Sequence, residues 1–269
     1  MFLTLLSLFN SCDNKDAILA NDILLYKDTP VWDAAKAIKD KDTSRVREFF
    51  LKKPELLDYQ EPKFKQSLLN WAVYANYYEG VVILADLGAN PNLSRKDGTT
   101  ALVNAAANLF SSKYLKKLIE KKADINYVVN TKESEIDATP LIAASWSRLE
   151  SVKLLVEAGA DVNYKWSMGD QWNNSSLLSA FRGGKIEIIR YLIIDAGADF
   201  KSPLTHRLNG DAIYVIDKLR EMPFELDSEE YKIKMEVVAF LKKNGIDYKT
   251  APIPERYYKL YDSLYLEKY

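Results

Sequence analysis

The sequence is poor in the residues that build most catalytic and metal sites, with one cysteine and one histidine among 269 residues. A single cysteine excludes an intramolecular disulfide framework and a zinc site made of several cysteines. A single histidine excludes two-histidine metal motifs and leaves one imidazole for nucleophilic catalysis. The net charge is only −1, whereas nucleic-acid-binding proteins normally carry a basic excess. We therefore expect no metal, no cofactor and no nucleic-acid partner.

The apolar content, in contrast, is that of an ordinary folded protein, at 48% of residues. An apolar run occupies residues 1–9 and is followed by the only cysteine, Cys12. The run is too short for a helix that spans a bilayer, which takes about 20 residues, but it matches the apolar core of a signal peptide. The segment resembles a bacterial lipoprotein signal, although Phe9 and Asn10 depart from the family's pattern and no Lys or Arg precedes the run.

The resemblance to a lipoprotein signal has consequences for the N-terminal segment. It implies a signal peptide over residues 1–11, lipid attachment at Cys12 and a tether over residues 12–29. It also implies a protein anchored to the bacterial cell envelope, facing the periplasm or the exterior, with the lipid as its only contact with the membrane. The alternative is a frayed apolar N-terminus with an incidental cysteine.

A short motif recurs along most of the chain, at intervals of 34, 37, 38 and 48 residues. Each copy ends an amphipathic run that has the apolar spacing of a helix. An alanine-containing helical run with a nearby Ser or Thr lies upstream of the copies. Four copies contain a glycine just past the predicted helix end, where a positive φ is needed. The copies occupy residues 88–92, 122–126, 159–163, 197–200 and 245–248.

The repeating unit resembles the ankyrin repeat, which is about 33 residues long and combines a β-turn with two helices. The matching motifs are TPL at 139–141, GADVN at 159–163 and DGTTAL at 97–102. The resemblance implies an all-α, ankyrin-like helical repeat solenoid, in which helix-turn-helix units with projecting β-turns or hairpins form a single elongated domain. Other residues stand at the place of the family's His, namely Asn70, Val103, Ile142 and Leu178.

The repeats divide the chain into predicted parts. An N-terminal helical cap over residues 30–64 precedes them, and a Tyr-rich C-terminal cap helix over residues 249–269 follows them. The tyrosines of this cap have helical spacing, and they either pack on the last repeat or form an aromatic face for a partner. His206 falls at the start of a predicted repeat helix, where capping or packing is expected rather than catalysis. The repeats themselves span residues 65–248, as units 65–96, 97–137, 138–173, 174–201 and 202–248.

An ankyrin-like array has no built-in chemistry, and the resemblance implies that its concave groove binds a protein partner. The helix positions one, four and five residues after the place of the family's His are expected to face this groove. Trp, Tyr and Arg are common in interface hot spots. For Trp71 and Trp146, packing between repeats is an equal alternative. The candidate groove residues are Trp71, Tyr74, Asn104, Asn108, Trp146 and Arg182.

Two turns between predicted repeats are longer than an ordinary link, at residues 127–138 and 164–174. Insertions in a repeat array form loops, often on the binding face. The second turn carries Tyr164, Trp166 and Trp172, and aromatic residues in a polar loop are typical of binding loops. The alternative is that these rings fold back over the neighbouring turn.

Three hypotheses of function follow. The first is a non-enzymatic, monomeric, protein-binding scaffold that is anchored to the envelope as a lipoprotein. A narrower one is an immunity or inhibitor protein that neutralises a periplasmic toxin or enzyme. The third is a hydrolase that uses carboxylates of the atypical last repeat, although no acidic pair stands out from the charged helix faces.

Overall fold

The computed structural model describes residues 19–108, 111–129, 138–168 and 172–269 of the chain. The predicted signal peptide and Cys12 lie outside these residues. Two antiparallel hairpins pair β1 (Lys165–Met168) with β2 (Trp172–Ser175) and β3 (Thr205–His206) with β4 (Ala212–Ile213). The helices are α1 Trp32–Lys39, α2 Thr43–Lys52, α3 Leu68–Tyr74, α4 Tyr78–Asp86, α5 Ala101–Ala106, α6 Lys113–Glu120, α7 Pro140–Ser145, α8 Leu149–Glu157, α9 Ser176–Arg182, α10 Ile186–Arg190, α11 Val215–Arg220, α12 Glu229–Lys243 and α13 Ser263–Lys268.

Successive helix pairs stack on one another. The first helices of neighbouring pairs contact each other, α3 with α5, α5 with α7 and α7 with α9. The second helices do the same from α2 through α4, α6, α8 and α10 to α12. One apolar core runs through the stack from Ile23 to Tyr248. This is the all-α ankyrin-like solenoid that the repeats predict, because each pair buries its apolar face against the next pair along the chain.

Small residues set the distance between the stacked helices. Ala72, Ala105 and Ala144 of the first helices are fully buried. Gly80 of α4 approaches α1 so closely that a Cβ placed on it would lie 2.8 Å from Ile38 Cγ2 and 3.3 Å from Ala72 Cβ. One added methyl group would therefore collide with the neighbouring helix pair.

The recurring motif forms hydrogen bonds within its own turn and to the next repeat. In each copy, an Asn or Asp side chain accepts from the backbone N–H two residues on, as Asp124 does from Asn126 at 3.0 Å. The Asn that ends the motif accepts from the backbone of the following copy, which explains why the motif keeps its place from repeat to repeat. These bonds join Asn92 Oδ1 to Asp124 N at 2.7 Å, Asn126 Oδ1 to Asp161 N at 2.8 Å and Asn163 Oδ1 to Asp199 N at 2.7 Å.

Side-chain caps and left-handed residues define the helix boundaries. In the second copy of the motif, Lys122 takes the place of the glycine with a φ of 62°. A non-glycine residue in that conformation costs about 1–2 kcal/mol. The N-caps that accept from the N–H three residues on are Ser67, Thr100, Thr139 and Ser175. The predicted positive φ is found at Gly88, Gly159, Gly197 and Gly245.

The predicted tether over residues 12–29 is wrong for its second half. A 3-10 helix at Ile23–Tyr26 packs on the first repeat, and Tyr26 is fully buried. The Tyr26 hydroxyl donates to Ser67 O at 3.0 Å, and its ring meets the Trp71 ring edge-on at 6.3 Å between centroids. The folded domain therefore includes these residues, because their apolar side chains pack on α1 and α3.

The last unit also differs from its prediction. His206 lies in the β3–β4 hairpin and not at the start of a helix, since α11 begins only at Val215. The predicted single cap helix over residues 249–269 is instead a 3-10 helix at Glu255–Lys259 followed by α13. Asp262 interrupts it, because its side chain accepts from Tyr265 N at 2.8 Å and so starts a new helix.

Residues 248–269, which we call the strap, pack on α11 and α12 through tyrosine hydroxyls. Tyr257 donates to Glu221 O at 2.8 Å, and Tyr265 donates to Phe224 O at 2.7 Å. Tyr269 donates to Arg220 O. Of the two interpretations of the tyrosine stripe, packing on the last repeat is thus the one that these side chains adopt.

Candidate functional site

Three of the predicted groove residues are exposed at the ends of the first helices α3, α7 and α9. Tyr74, at the end of α3, is 45% exposed, and Trp146, just after α7, is 43% exposed. Arg182, the last residue of α9, is also exposed. Each stands four residues after the place of the family's His, so the stacking of α3, α5, α7 and α9 aligns them. We call Tyr74, Trp146 and Arg182 the groove row.

Arg95 supports Tyr74 from the turn that precedes α5. Its guanidinium carbon lies 5.0 Å from the centroid of the Tyr74 ring, within the range of a cation–π contact. Arg95 Nη2 also pairs with Asp97 Oδ2 at 3.4 Å, and the arginine side chain is only 9% exposed. The Tyr74 ring is therefore held in place although nearly half of it is exposed. No sequence pattern predicts Arg95, because the contact joins a helix to a turn that lies far along the chain from it.

The backbone of Trp146 packs against the next repeat. A Cβ on Gly183 would lie 3.1 Å from Trp146 O, so only glycine allows this approach without a shift. The following residue, Ser147, is buried and donates through Oγ to Ala106 O at 3.3 Å. Trp146 thus has a fixed backbone and an exposed ring, which favours the groove-facing interpretation over packing between repeats.

Trp71 is buried, which contradicts its assignment as a groove residue. Its side chain is 3% exposed, and its Nε1 donates to Asn21 O at 3.1 Å. Its ring lies between Tyr26 and Tyr77, with centroids at 6.3 and 6.1 Å. The physical reason is the segment at residues 19–26, which covers this helix face and which the sequence assigns to the tether.

The two asparagines of the second repeat have different surroundings. Asn104 is half-buried, and its Nδ2 has no hydrogen-bond partner among the described residues. Asn108 Oδ1 accepts from Ser111 N at 3.1 Å, and Asn108 Nδ2 lies 3.4 Å from Asn76 Oδ1. Asn108 therefore ties its own loop to the loop of the preceding repeat.

The second long turn forms the β1–β2 hairpin. Tyr164 and Trp166 are half-buried, and Trp166 stands opposite Asn174 in the strand register. Trp172 pairs through its backbone with Met168. The first long turn is described only at its two ends, where Val129 N donates to Ala138 O at 3.0 Å. The structure thus places Trp166 in β1 and Tyr164 just before this strand.

Comparison with known proteins gives two matches to family models. A model of ankyrin repeats in three copies matches residues 69–166, and a model of ankyrin repeats in many copies matches residues 141–193. Protein PhlB of Serratia liquefaciens is 38% identical over 105 residues, which cover 39% of this chain and 44% of PhlB. A putative ankyrin repeat protein of fowlpox virus (strain NVSL) is 36% identical over 92 residues. The match covers 34% of this chain and 27% of the viral protein. The chain spans less than half the length of these relatives.

The chain therefore contains ankyrin repeats. A solenoid of this class is a scaffold for protein–protein interaction, because its stacked units present one extended surface. Within the described ranges, no group of three His, Cys, Asp or Glu side chains is placed to hold a metal ion. The helices of the described part include none that is long and apolar enough to cross a membrane.

Proposed function

We propose that this chain is a non-enzymatic monomer that binds one partner protein through the groove row, with the β1–β2 hairpin as a second contact. The observation that supports the proposal is the exposure of Tyr74 and Trp146 at equivalent positions of stacked repeats. Trp, Tyr and Arg are the residue types that dominate interface hot spots. The row contains one of each.

The groove row is suited to holding a side chain of the partner. Between Tyr74 and Trp146, helix α5 contributes Ala107 at the equivalent position, and this small residue is exposed. The row therefore has a gap between two aromatic side chains. Because Arg95 already holds Tyr74, binding would freeze fewer rotamers, and each rotamer that is frozen costs about 0.5–1.5 kcal/mol.

Replacing Tyr74 and Trp146 together by alanine is expected to weaken partner binding by about 30-fold or more. One hot-spot residue contributes about 2 kcal/mol or more, which is about 30-fold because each 1.4 kcal/mol is a factor of ten, and the loss of two such residues is at least as large. The matched control is Tyr258→Ala with Leu260→Ala, which removes two exposed apolar side chains from the strap. The measurement is affinity capture from the source cell, identification of the partner, and titration of that partner against both variants. Equal affinity of the two double variants would contradict the assignment.

We also propose that lipid on Cys12 anchors the chain to the bacterial cell envelope, on the side of the periplasm or the exterior. The support is the apolar run at residues 1–9, which is separated by Asn10 and Ser11 from the only cysteine of the chain. Residues 13–18 would then separate the lipid from the described fold. Fully extended, they reach about 20 Å, so the groove would stay close to the membrane.

Metabolic labelling with a fatty acid tests the anchor. The full chain is expected to incorporate label and to stay with the membrane fraction, whereas Cys12→Ala is expected to lose both. Ser11→Ala serves as the control, because it changes a neighbouring residue and leaves the thiol. An unlabelled wild-type chain, or equal label in Cys12→Ala, would end the proposal.

A further inference from the structure

We propose that the strap is a pH-sensitive latch, which leaves the last repeat when the amine of Lys234 takes up a proton. Lys234 lies in α12, and its side chain is fully buried. Buried lysines are rare unless they are paired. The strap packs around this amine, so a change in the protonation of Lys234 changes how well the strap binds.

The Lys234 amine contacts both ends of the strap. Its Nζ lies 3.6 Å from the ring centroid of Tyr269 and 5.3 Å from that of Tyr248. It donates a hydrogen bond to Met222 O at 3.2 Å, just after α11. A change in the charge of this amine therefore acts on the first and the last turn of the strap at once.

The guanidinium of Arg220 shares the same two rings. The guanidinium carbon of Arg220 lies 4.0 Å from the Tyr248 centroid and 5.8 Å from the Tyr269 centroid. Arg220 Nε donates to Ala251 O at 3.2 Å, which ties α11 to the strap. Protonation of Lys234 would thus add a second positive charge to a buried site that already holds one.

The site offers aromatic rings and backbone carbonyl groups to the Lys234 amine and the Arg220 guanidinium. Among the described residues, no carboxylate forms an ion pair with Lys234 or Arg220. A buried charge without a counter-ion is unfavourable, because no opposite charge is present to compensate for the water that the group loses. The titratable groups facing the amine are Arg220 from α11 with Tyr248 and Tyr269 from the strap, while Tyr231 of α12 donates to Lys268 O at 2.8 Å nearby.

The direction of the pH effect follows from the Lys234 amine. Burial, followed by the charge of Arg220, lowers the pKa of Lys234 from 10.5 to about 6. In the released state the amine reaches water and regains its ordinary pKa, so between these two values the released state holds one more proton. Closure of the latch therefore weakens as the pH falls, by about tenfold per pH unit between about pH 9.5 and 6.5. Below about pH 6 both states hold the proton, and this group has no further effect.

The tyrosines of the strap weaken its closure at alkaline pH. Burial raises the pKa of Tyr248 well above its ordinary value, and burial also raises the pKa of Tyr269. Released tyrosines ionise near pH 10, whereas the latched ones stay neutral, so closure weakens again above that pH. The latch is tightest near about pH 9–10 and loosens through the neutral range.

Release of the strap would uncover the edge of the last repeat. The backbone carbonyls of Arg220, Glu221 and Phe224 now accept from tyrosine hydroxyls of the strap. Without these partners the carbonyls and the apolar face beneath them are open to another element. A terminal repeat that loses its cap exposes the surface on which a further repeat would stack.

Hydrogen exchange followed by mass spectrometry on the full chain tests the latch. Protection factors of the strap amides are measured at pH 8.5, 7.5 and 6.5. In the wild type they are expected to fall by about 100-fold over this range. Lys234→Met keeps the volume and cannot be protonated, so its strap protection is expected to be independent of pH. Lys232→Met removes an exposed lysine from the same helix and is expected to keep the wild-type slope.

Two further readings distinguish a latch from loss of the whole fold. Amides of α5 to α8 are expected to keep their protection at all three pH values in the wild type. Lys234→Arg carries a permanent charge and is expected to show low strap protection throughout. Strap protection that does not change with pH in the wild type would overturn the proposal, as would an unchanged slope in Lys234→Met or a parallel loss of protection in α5 to α8.

Discussion

Replacing Trp71 by alanine is expected to lower the free energy of unfolding by about 3–5 kcal/mol, the usual cost of removing a large buried aromatic side chain. The Trp71 ring packs between Tyr26 and Tyr77, and its Nε1–H is bonded to Asn21 O. The same substitution at Trp146 is expected to change the free energy of unfolding by about 0.5 kcal/mol or less, because that ring is 43% exposed. Comparison of the two variants therefore distinguishes a tryptophan that packs in the core from one that is available for binding.

Urea unfolding of both single variants measures this contrast. Trp71→Ala should also increase the hydrogen exchange of residues 19–26, because their support on the first repeat is lost. Equal stability losses in the two variants would contradict the assignment of Trp71 to the core. So would a Trp71→Ala chain that keeps its stability and loses its partner.

Gly80→Ala is expected to destabilise the domain by about 1–3 kcal/mol, since overpacking forces neighbouring groups to move. In an exposed helix the same change stabilises by about 0.5–1 kcal/mol, so the sign of the effect is diagnostic. The collision is with Ile38 Cγ2, at 2.8 Å from the new Cβ. Ile38→Leu removes that methyl group, and the double variant is therefore expected to regain much of the lost stability.

A double-mutant cycle in thermal or urea unfolding measures the coupling between the two positions. We expect the two changes to be non-additive by about 1 kcal/mol or more, because the groups are in direct contact. Additive effects, or a Gly80→Ala variant more stable than the wild type, would contradict the close approach of α4 to α1.

The repeating part of the fold could be predicted from the sequence because its determinants are local. Ser67 and Thr139 each accept from the backbone N–H three residues on and so cap the helix that begins next to them, and Gly159 follows a helix end with a positive φ. The period of the motif predicts stacking, and the last residue of one copy, such as Asn126, accepts from the third residue of the next copy, Asp161. Tyr74 and Trp146 follow from their place in the unit, and their exposure agrees with it.

The rest depends on contacts between distant residues, which no local pattern reports. Trp71 occupies a groove position of its repeat, yet it is buried because residues 19–26 return to cover it. Arg95 lies in the turn before α5 and contacts the ring of Tyr74, at the end of the distant helix α3. In the sequence, Lys234 is one lysine among several in a charged helix. Its burial cannot be predicted, because it depends on the strap that covers it. The ends of a solenoid are thus the least predictable part, because they are capped by segments outside the repeat.

Photo-crosslinking from the groove row tests the central claim most directly. A photoreactive amino acid is introduced at position 146 of the full chain, and in a second chain at position 116, where Lys116 is exposed on the second helix α6. Both chains are irradiated in the source cell. Docking through the groove row predicts one adduct of defined mass from position 146 and none from position 116. Adducts of equal yield from the two positions, or an adduct from position 116 alone, would contradict it.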